Sequence, residues 1–226
     1  HAMRTRPDAR ITGPFGPNGR LLHTLAAAVA GAGLFGGAVS DAHAESSWLK
    51  AMGGDWLDAA HWSGGVPNTS ADVVFGVMPS GATFEVTSSQ AIGVWSLAIR
   101  NQSPIIRFST PGTDDLVVFG PTMIGGPESP LFTVRECRAA LLGQQNIGTD
   151  EGPGSVLIDG TSAASTGQYF TSAPLRVGDG ANGSIVVGAN GLLEMSTPSG
   201  HPVSSVVGAG ADGVGSVTFV GAGSLG

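Results

Sequence analysis

Val177-Gly178-Asp179-Gly180-Ala181-Asn182-Gly183-Ser184-Ile185-Val186-Val187 is the middle copy of a block that the chain writes three times. Before it stands Ile147-Gly148-Thr149-Asp150-Glu151-Gly152-Pro153-Gly154-Ser155-Val156-Leu157-Ile158. After it comes Val207-Gly208-Ala209-Gly210-Ala211-Asp212-Gly213-Val214-Gly215-Ser216-Val217-Thr218-Phe219, so the block recurs about every thirty residues. Self-similarity at a fixed period means that one structural unit stacks on copies of itself, and the core is built by repetition. Each glycine-rich turn leads into Ser and an apolar triplet, then into another glycine turn at Gly160, Gly188 or Gly221. The triplets predict strands. Gly148, Gly178, Gly180, Gly183, Gly208, Gly210 and Gly213 predict corners that need positive φ or a close backbone approach. A chain that coils with strands on its sides and glycines at its corners is a β-solenoid.

Composition agrees with this reading. Of 226 residues 37 are Gly, 41% are hydrophobic and only 12% are charged, which is too apolar for a disordered chain and too poor in helix formers for a helical one. Outward from the repeats, short strands separated by Gly, Pro, Ser, Asn and Asp clusters are expected at Thr83–Thr87, Val94–Ile99, Ile105–Phe108, Leu116–Phe119 and Leu131–Arg138. Phe84/Val86 and Trp95/Leu97/Ile99 alternate with smaller or more polar residues, the period-two sign of a pleated surface with one face inward. No stretch between residues 45 and 226 combines helical periodicity with helix-forming residues. Doubly wound α/β folds are therefore excluded.

The N-terminus reads as a targeting segment. Arg4, Arg6, Arg10 and Arg20 precede an uncharged apolar run from Leu21 to Val39, and Ala42-His43-Ala44 has the small-x-small pattern of a signal-peptidase site. The expectation is a cloning remnant at 1–2, a signal peptide over 3–44 cleaved after Ala44, a Trp-rich cap over 45–80 and solenoid repeats over 81–226. Cleavage would leave 6 basic and 15 acidic residues, a net charge near −9, which disfavours nucleic acid and anionic lipid as partners. Cys137 is the only cysteine, so neither an intrachain disulfide nor a cysteine zinc cluster can form.

Trp48, Trp56 and Trp62, followed by Pro67 and the apolar run Asp72-Val73-Val74-Phe75, provide what the first rung of a stacked sheet needs: bulk to cover its apolar face and its unpaired edge. The alternative use of these rings is as a platform on which sugars stack.

This combination of residues resembles the passenger region of bacterial autotransporters: Trp56, Trp62, Gly65-Val66-Pro67 and Asp72–Phe75, then repeated Val-Gly-x-Gly-x-x-Gly-Ser-apolar blocks and Gly221-Ala222-Gly223-Ser224-Leu225. The resemblance implies a right-handed parallel β-helix, secretion, and export through a C-terminal outer-membrane barrel. No barrel is written in residues 1–226, and Gly226 falls inside what reads as a further repeat. It also implies display at the cell surface, with host or sister-cell glycan or protein, or another copy of the chain, as partner. Neither a cofactor nor a metal is expected.

Three motifs suggest chemistry. Gly178–Gly183 and Gly208–Gly213 both satisfy G-x-G-x-x-G, but a strand follows each, where dinucleotide binding requires a helix N-terminus. Asp179, Asn182 and Asp212 sit as in calcium-binding nonapeptides, yet those repeat every nine residues. Asp114-Asp115, Asp150-Glu151 and Asp159 could form a hydrolytic acid pair only if rung registers brought them together. His61 and His201 have no G-x-S-x-G elbow beside them. The expected function is a non-catalytic adhesive scaffold, a rod of roughly 30 to 45 Å at ~4.8 Å per rung. The alternative is a secreted β-helical polysaccharide hydrolase or lyase.

Overall fold

A computed structural model describes residues 43–76, 82–108, 115–161, 166–196, 205–208, 213–220 and 224–225. Residues 1–42, which hold the expected remnant at 1–2 and all of the expected 3–44 signal peptide but His43 and Ala44, lie outside them, as do Asp114, His201, Gly210 and Asp212. In chain order the strands are β1 (Ala44–Ser47), β2 (Gly54–Asp55), β3 (Ala71–Phe75), β4 (Thr83–Ser88), β5 (Ile92–Val94), β6 (Ser96–Ile99), β7 (Ser103–Phe108), β8 (Leu116–Val118), β9 (Thr122–Ile124), β10 (Leu131–Arg135), β11 (Arg138–Leu141), β12 (Gln145–Ile147), β13 (Gly154–Asp159), β14 (Gly167–Thr171), β15 (Leu175–Val177), β16 (Gly183–Val187), β17 (Gly191–Met195), β18 (Val206–Val207), β19 (Gly215–Phe219) and β20 (Ser224–Leu225). One short 3-10 turn, Ala59–His61, is the only helical element among the described residues.

The strands form three sheets, and every pairing between them is parallel. The first runs β1-β3-β6-β9-β12-β15-β18, the second β2-β4-β7-β10-β13-β16-β19 and the third β5-β8-β11-β14-β17-β20. From β4 onward the chain visits the second, third and first sheets in turn, so each circuit lays one strand on each. The protein is all-β and β-solenoid-like, consistent with a parallel β-helix.

Register explains why the blocks could be read from sequence. Ile147 pairs with Val177 and Val177 with Val207; Gly154 pairs with Gly183 and Gly183 with Gly215. The sequence repeat is the structural rung. Earlier circuits are uneven: Glu85 pairs with Ile105, Ile105 with Thr133, Thr133 with Leu157, Leu157 with Val186 and Val186 with Thr218, giving circuits of 20, 28, 24, 29 and 32 residues. Strand registers stay fixed while the turns take up the difference.

Alternation along each strand sends one face inward. Phe75, Ile99, Ile124, Ile147 and Val177 form a continuous column in the first sheet, all fully buried. Ile106, Val134, Ile158 and Val187 form another in the second sheet. Each such side chain contributes about 1.5 to 3 kcal/mol when buried.

Two expected strands prove to be pairs of strands joined at a corner. Val94–Ile99 divides at Trp95: β5 belongs to the third sheet and β6 to the first. The bend reverses the inward parity, so Leu97 and Ile99 point in and Trp95 points out. Leu131–Arg138 likewise breaks at Glu136, which holds φ +54° and swings the chain from the second sheet into the third. In the Trp-rich section β1 and β3 head the first sheet and β2 the second.

Candidate functional site

Trp48, Trp56 and Trp62 are buried together at the N-terminal end of the sheets. The Trp48 ring centroid lies 4.9 Å from that of Trp62 in an edge arrangement, 4.7 Å from His61 and 6.0 Å from Phe84. Trp62 Nε1 donates to the Trp56 carbonyl at 2.7 Å. Pro67 is buried nearby in sequence, on the approach to β3. Fully buried rings cannot act as a sugar platform, and the exposed tryptophan is instead Trp95. Its ring stacks on His43 at 4.5 Å with 9° between the planes. Register continues that corner through Phe119 and Leu142, so Trp95, Phe119 and Leu142 make an exposed apolar line over three successive rungs.

At the repeat corners, Gly148, Gly178 and Gly208 hold φ +72°, +79° and +78°, and Gly180 holds +112°. These conformations are costly for any residue with a Cβ. Gly183 and Gly213 are needed for room: a Cβ on Gly183 would overlap the Ile147 carbonyl oxygen, and one on Gly213 that of Gly178.

The outward face of the second sheet carries most of the polar chemistry. Ser155, Ser184 and Ser216 stack in register, with Ser155 Oγ 2.8 Å from Ser184 Oγ. With Asn182, Pro153 and Val214 they line an open cleft of about 380 Å³. Toward the C-terminal ends of β7, β10 and β13 in this sheet, Arg107 and Arg135 occupy neighbouring rungs of one column, and Asp159 follows. Arg107 pairs with Glu136 at 2.8 Å and with Glu85 at 3.6 Å, and Arg135 pairs with Asp159 at 3.6 Å.

Glu136 is buried, and its carboxylate also accepts a hydrogen bond from the Thr161 hydroxyl. That bond first, and then Arg107, hold the carboxyl below its ordinary value of 4.5 against the opposing effect of burial. The guanidinium thus clamps two carboxylates, but keeps Glu136 ionised where glycoside hydrolysis needs a carboxylic acid with a raised pKa.

The register does not gather the acids named from sequence. Asp115 is buried before β8 and accepts from the Arg138 backbone N–H at 2.9 Å. Glu151 pairs with Arg100 at 2.9 Å, its neighbour Asp150 is exposed between β12 and β13, and Asp159 ends β13. Asp115 and Asp159 both lie where the chain passes from the second sheet to the third, but two rungs apart, while Asp150 and Glu151 lie where it passes from the first sheet to the second. His61 belongs to the aromatic cluster, its Nδ1 3.1 Å from the Asp55 carbonyl. Among the described residues no three His, Cys, Asp or Glu side chains converge to hold a metal.

Two features escaped sequence reasoning. The column of two arginines and an aspartate joins residues 28 and 24 apart, and both arginines stand before the recognisable repeats begin. In the core, Gln145 donates to the Leu141 and Gly143 carbonyls at 3.0 and 2.8 Å and to Thr171 Oγ1 at 2.7 Å, tying the third sheet to the first. Nothing in the local sequence marks that glutamine as interior.

The fold and face define a coil of parallel sheets with a polar, ion-paired flank. Comparison with protein-family models, curated proteins and solved structures gives no significant match.

Proposed function

We propose that this chain is a secreted, cell-surface scaffold of the autotransporter-passenger kind: a right-handed parallel β-helix that acts by adhesion or self-association and not by catalysis. The observation that supports this reading is the state of the outward carboxylates. Glu85, Glu136 and Asp159 on the polar flank of the second sheet are tied to arginines, so this flank offers shape and hydrogen bonds but no free acid pair. In this reading Trp48, Trp56, Trp62 and Pro67 close the N-terminal end of the coil as a cap, the leader is removed after Ala44, and the turns meet a host or sister-cell glycan or protein. The test applies labelled protein to bacterial and host cells and to immobilised glycans. Saturable binding is expected, and its absence from every surface refutes the adhesive role.

A second reading, a β-helical carbohydrate-active enzyme, draws on the Glu85–Arg107–Glu136 constellation. Release of reducing ends or unsaturated sugars from acidic and neutral polysaccharides, abolished by Glu136→Gln, would establish it.

A further inference from the structure

Of the four tryptophans Trp95 alone is exposed, and both it and Phe119 have prepared seats. Register sets Val94 beside Val118, so Trp95 and Phe119 follow on adjacent rungs at one corner. A Cβ on Gly120 would come within 2.9 Å of Trp95 Cε2, and one on Gly93 within 3.2 Å of Phe119 Cε2. Each ring therefore leans over a glycine of the other's rung. Neither glycine holds a positive φ, so what they supply is room. Rings that stay 38% and 42% exposed add little to the core, and their fixed placement makes an outward apolar strip.

The Trp95 face already has one occupant. The His43 imidazole lies flat on the indole, 4.5 Å away and 9° off parallel, and its Nδ1 donates to the Ser70 carbonyl at 3.1 Å. The slot thus takes a flat ring that carries a donor on its rim. His43 is held there by Ala44, which pairs with Ala71 at the start of β1. A cut after Ala44 removes both residues. It bares the indole face and leaves the Ser70 carbonyl without its imidazole donor.

Resting on the scaffold reading, with the leader cut after Ala44, we propose that the Trp95 slot binds a pyranose unit of a neutral glycan and that His43 fills it until the leader is removed. A pyranose has the two properties that His43 shows to fit. Its flat face of C–H groups is attracted by the negative face of an indole, and its hydroxyls place donors around the rim. Trp95, Phe119 and Leu142 cover two rung steps of ~4.8 Å, about 10 Å in length. That suits one or two sugars, and is far smaller than the ~800 Å² that each partner of a stable protein interface buries. Charge selects the neutral class. Glu45 and Asp72 pair in register one residue beyond Ala44 and Ala71, and the whole chain is −7, so uronic or sulfated sugars are repelled.

The experiment titrates the uncut full chain with chitohexaose, cellohexaose and heparin, following binding by calorimetry and tryptophan exposure by acrylamide quenching. His43→Ala is expected to raise quenching, and to bind at least one neutral hexamer at least about tenfold more tightly than wild type, with heparin unbound. Adding that hexamer should restore protection from acrylamide. In the His43→Ala chain, Trp95→Ala should weaken binding at least about tenfold and Trp95→Phe should recover part of it, with little change in melting temperature because the ring is exposed. A His43→Ala chain that binds neither hexamer overturns the proposal. So do binding that Trp95→Ala leaves unchanged, wild type that binds as tightly as His43→Ala, and a preference for heparin. Cell binding judges the scaffold reading apart. If His43→Ala binds cells but neither hexamer, the slot falls and adhesion stands; if a hexamer binds through Trp95 while no form binds any cell, the slot stands and the adhesive scaffold falls.

Discussion

Replacing Gly183 by Ala tests the physical account of the repeat corner. Gly183 has no positive φ, so the substitution carries no left-handed penalty; what it meets is backbone, the Ile147 carbonyl oxygen and the Gly178 amide. Neither can rotate away as a side chain would, so the strand start must shift. Two rung-to-rung hydrogen bonds flank it: Gly183 N–H to the Val214 carbonyl at 2.9 Å, and Gly154 N–H to the Asn182 carbonyl at 3.0 Å. Losing both costs about 2 kcal/mol, and loosening the buried Ile185 and Val187 adds about 1 kcal/mol more. A loss of about 3 kcal/mol lowers the melting temperature of a chain this size by about 6 to 12 °C. Gly65→Ala is the control. Its φ is +80° with nothing within 4 Å of a Cβ, so only the conformational cost of about 1 kcal/mol applies. Urea unfolding followed by far-ultraviolet circular dichroism measures both. Equal losses for the two variants, or a Gly183→Ala loss under about 0.5 kcal/mol, would refute the close-approach argument.

Trp48→Ala should cost about 3 to 5 kcal/mol, because the ring is fully buried among His61, Trp62, Phe75 and Phe84. In a stack of nearest-neighbour rungs the damage should stay local, so hydrogen exchange should quicken in β1, β3 and β4 and change little in β13 and β16. Glu136 gives a pH test: its folded pKa lies below 4.5, so its contribution is full above that value and disappears as pH falls through the lowered one. Glu136→Gln should therefore be less stable than wild type at neutrality, the gap closing as pH falls below 4.5; a gap constant with pH would contradict the ion-pair account. Cys137, its thiol pushed up to about 12 by burial and then by Asp115, should resist a thiol reagent at mildly alkaline pH and react fully in denaturant. Rapid labelling of the folded protein would contradict that burial.

Legibility from sequence follows the length of the turns. The last circuits are nearly equal, so Ile147, Val177 and Val207 fall thirty residues apart and the column can be read directly. Glu85 and Ile105 are only twenty apart, with no glycine block between them, and their rung is invisible without register. Corners without glycine were missed for a related reason. Trp95 and Glu136 turn the chain through ordinary strand-forming neighbours, so local pattern ran straight through both. The candidate site depends on such corners: Glu136 meets Arg107 and Thr161 only because sheets change there. A partnership between residues 29 and 25 positions apart, set by coil length, has no local signature.

Uneven circuits also govern how the molecule divides its residues between length and breadth. The circuit from Thr133 to Leu157 uses 24 residues and the one from Glu85 to Ile105 uses 20, yet each advances the stack by one rung of ~4.8 Å. The difference goes into the turns. Height is therefore counted in circuits, while girth and surface relief are counted in residues. Insertions that respect the strand registers would alter what the flank offers to its surroundings without lengthening the column.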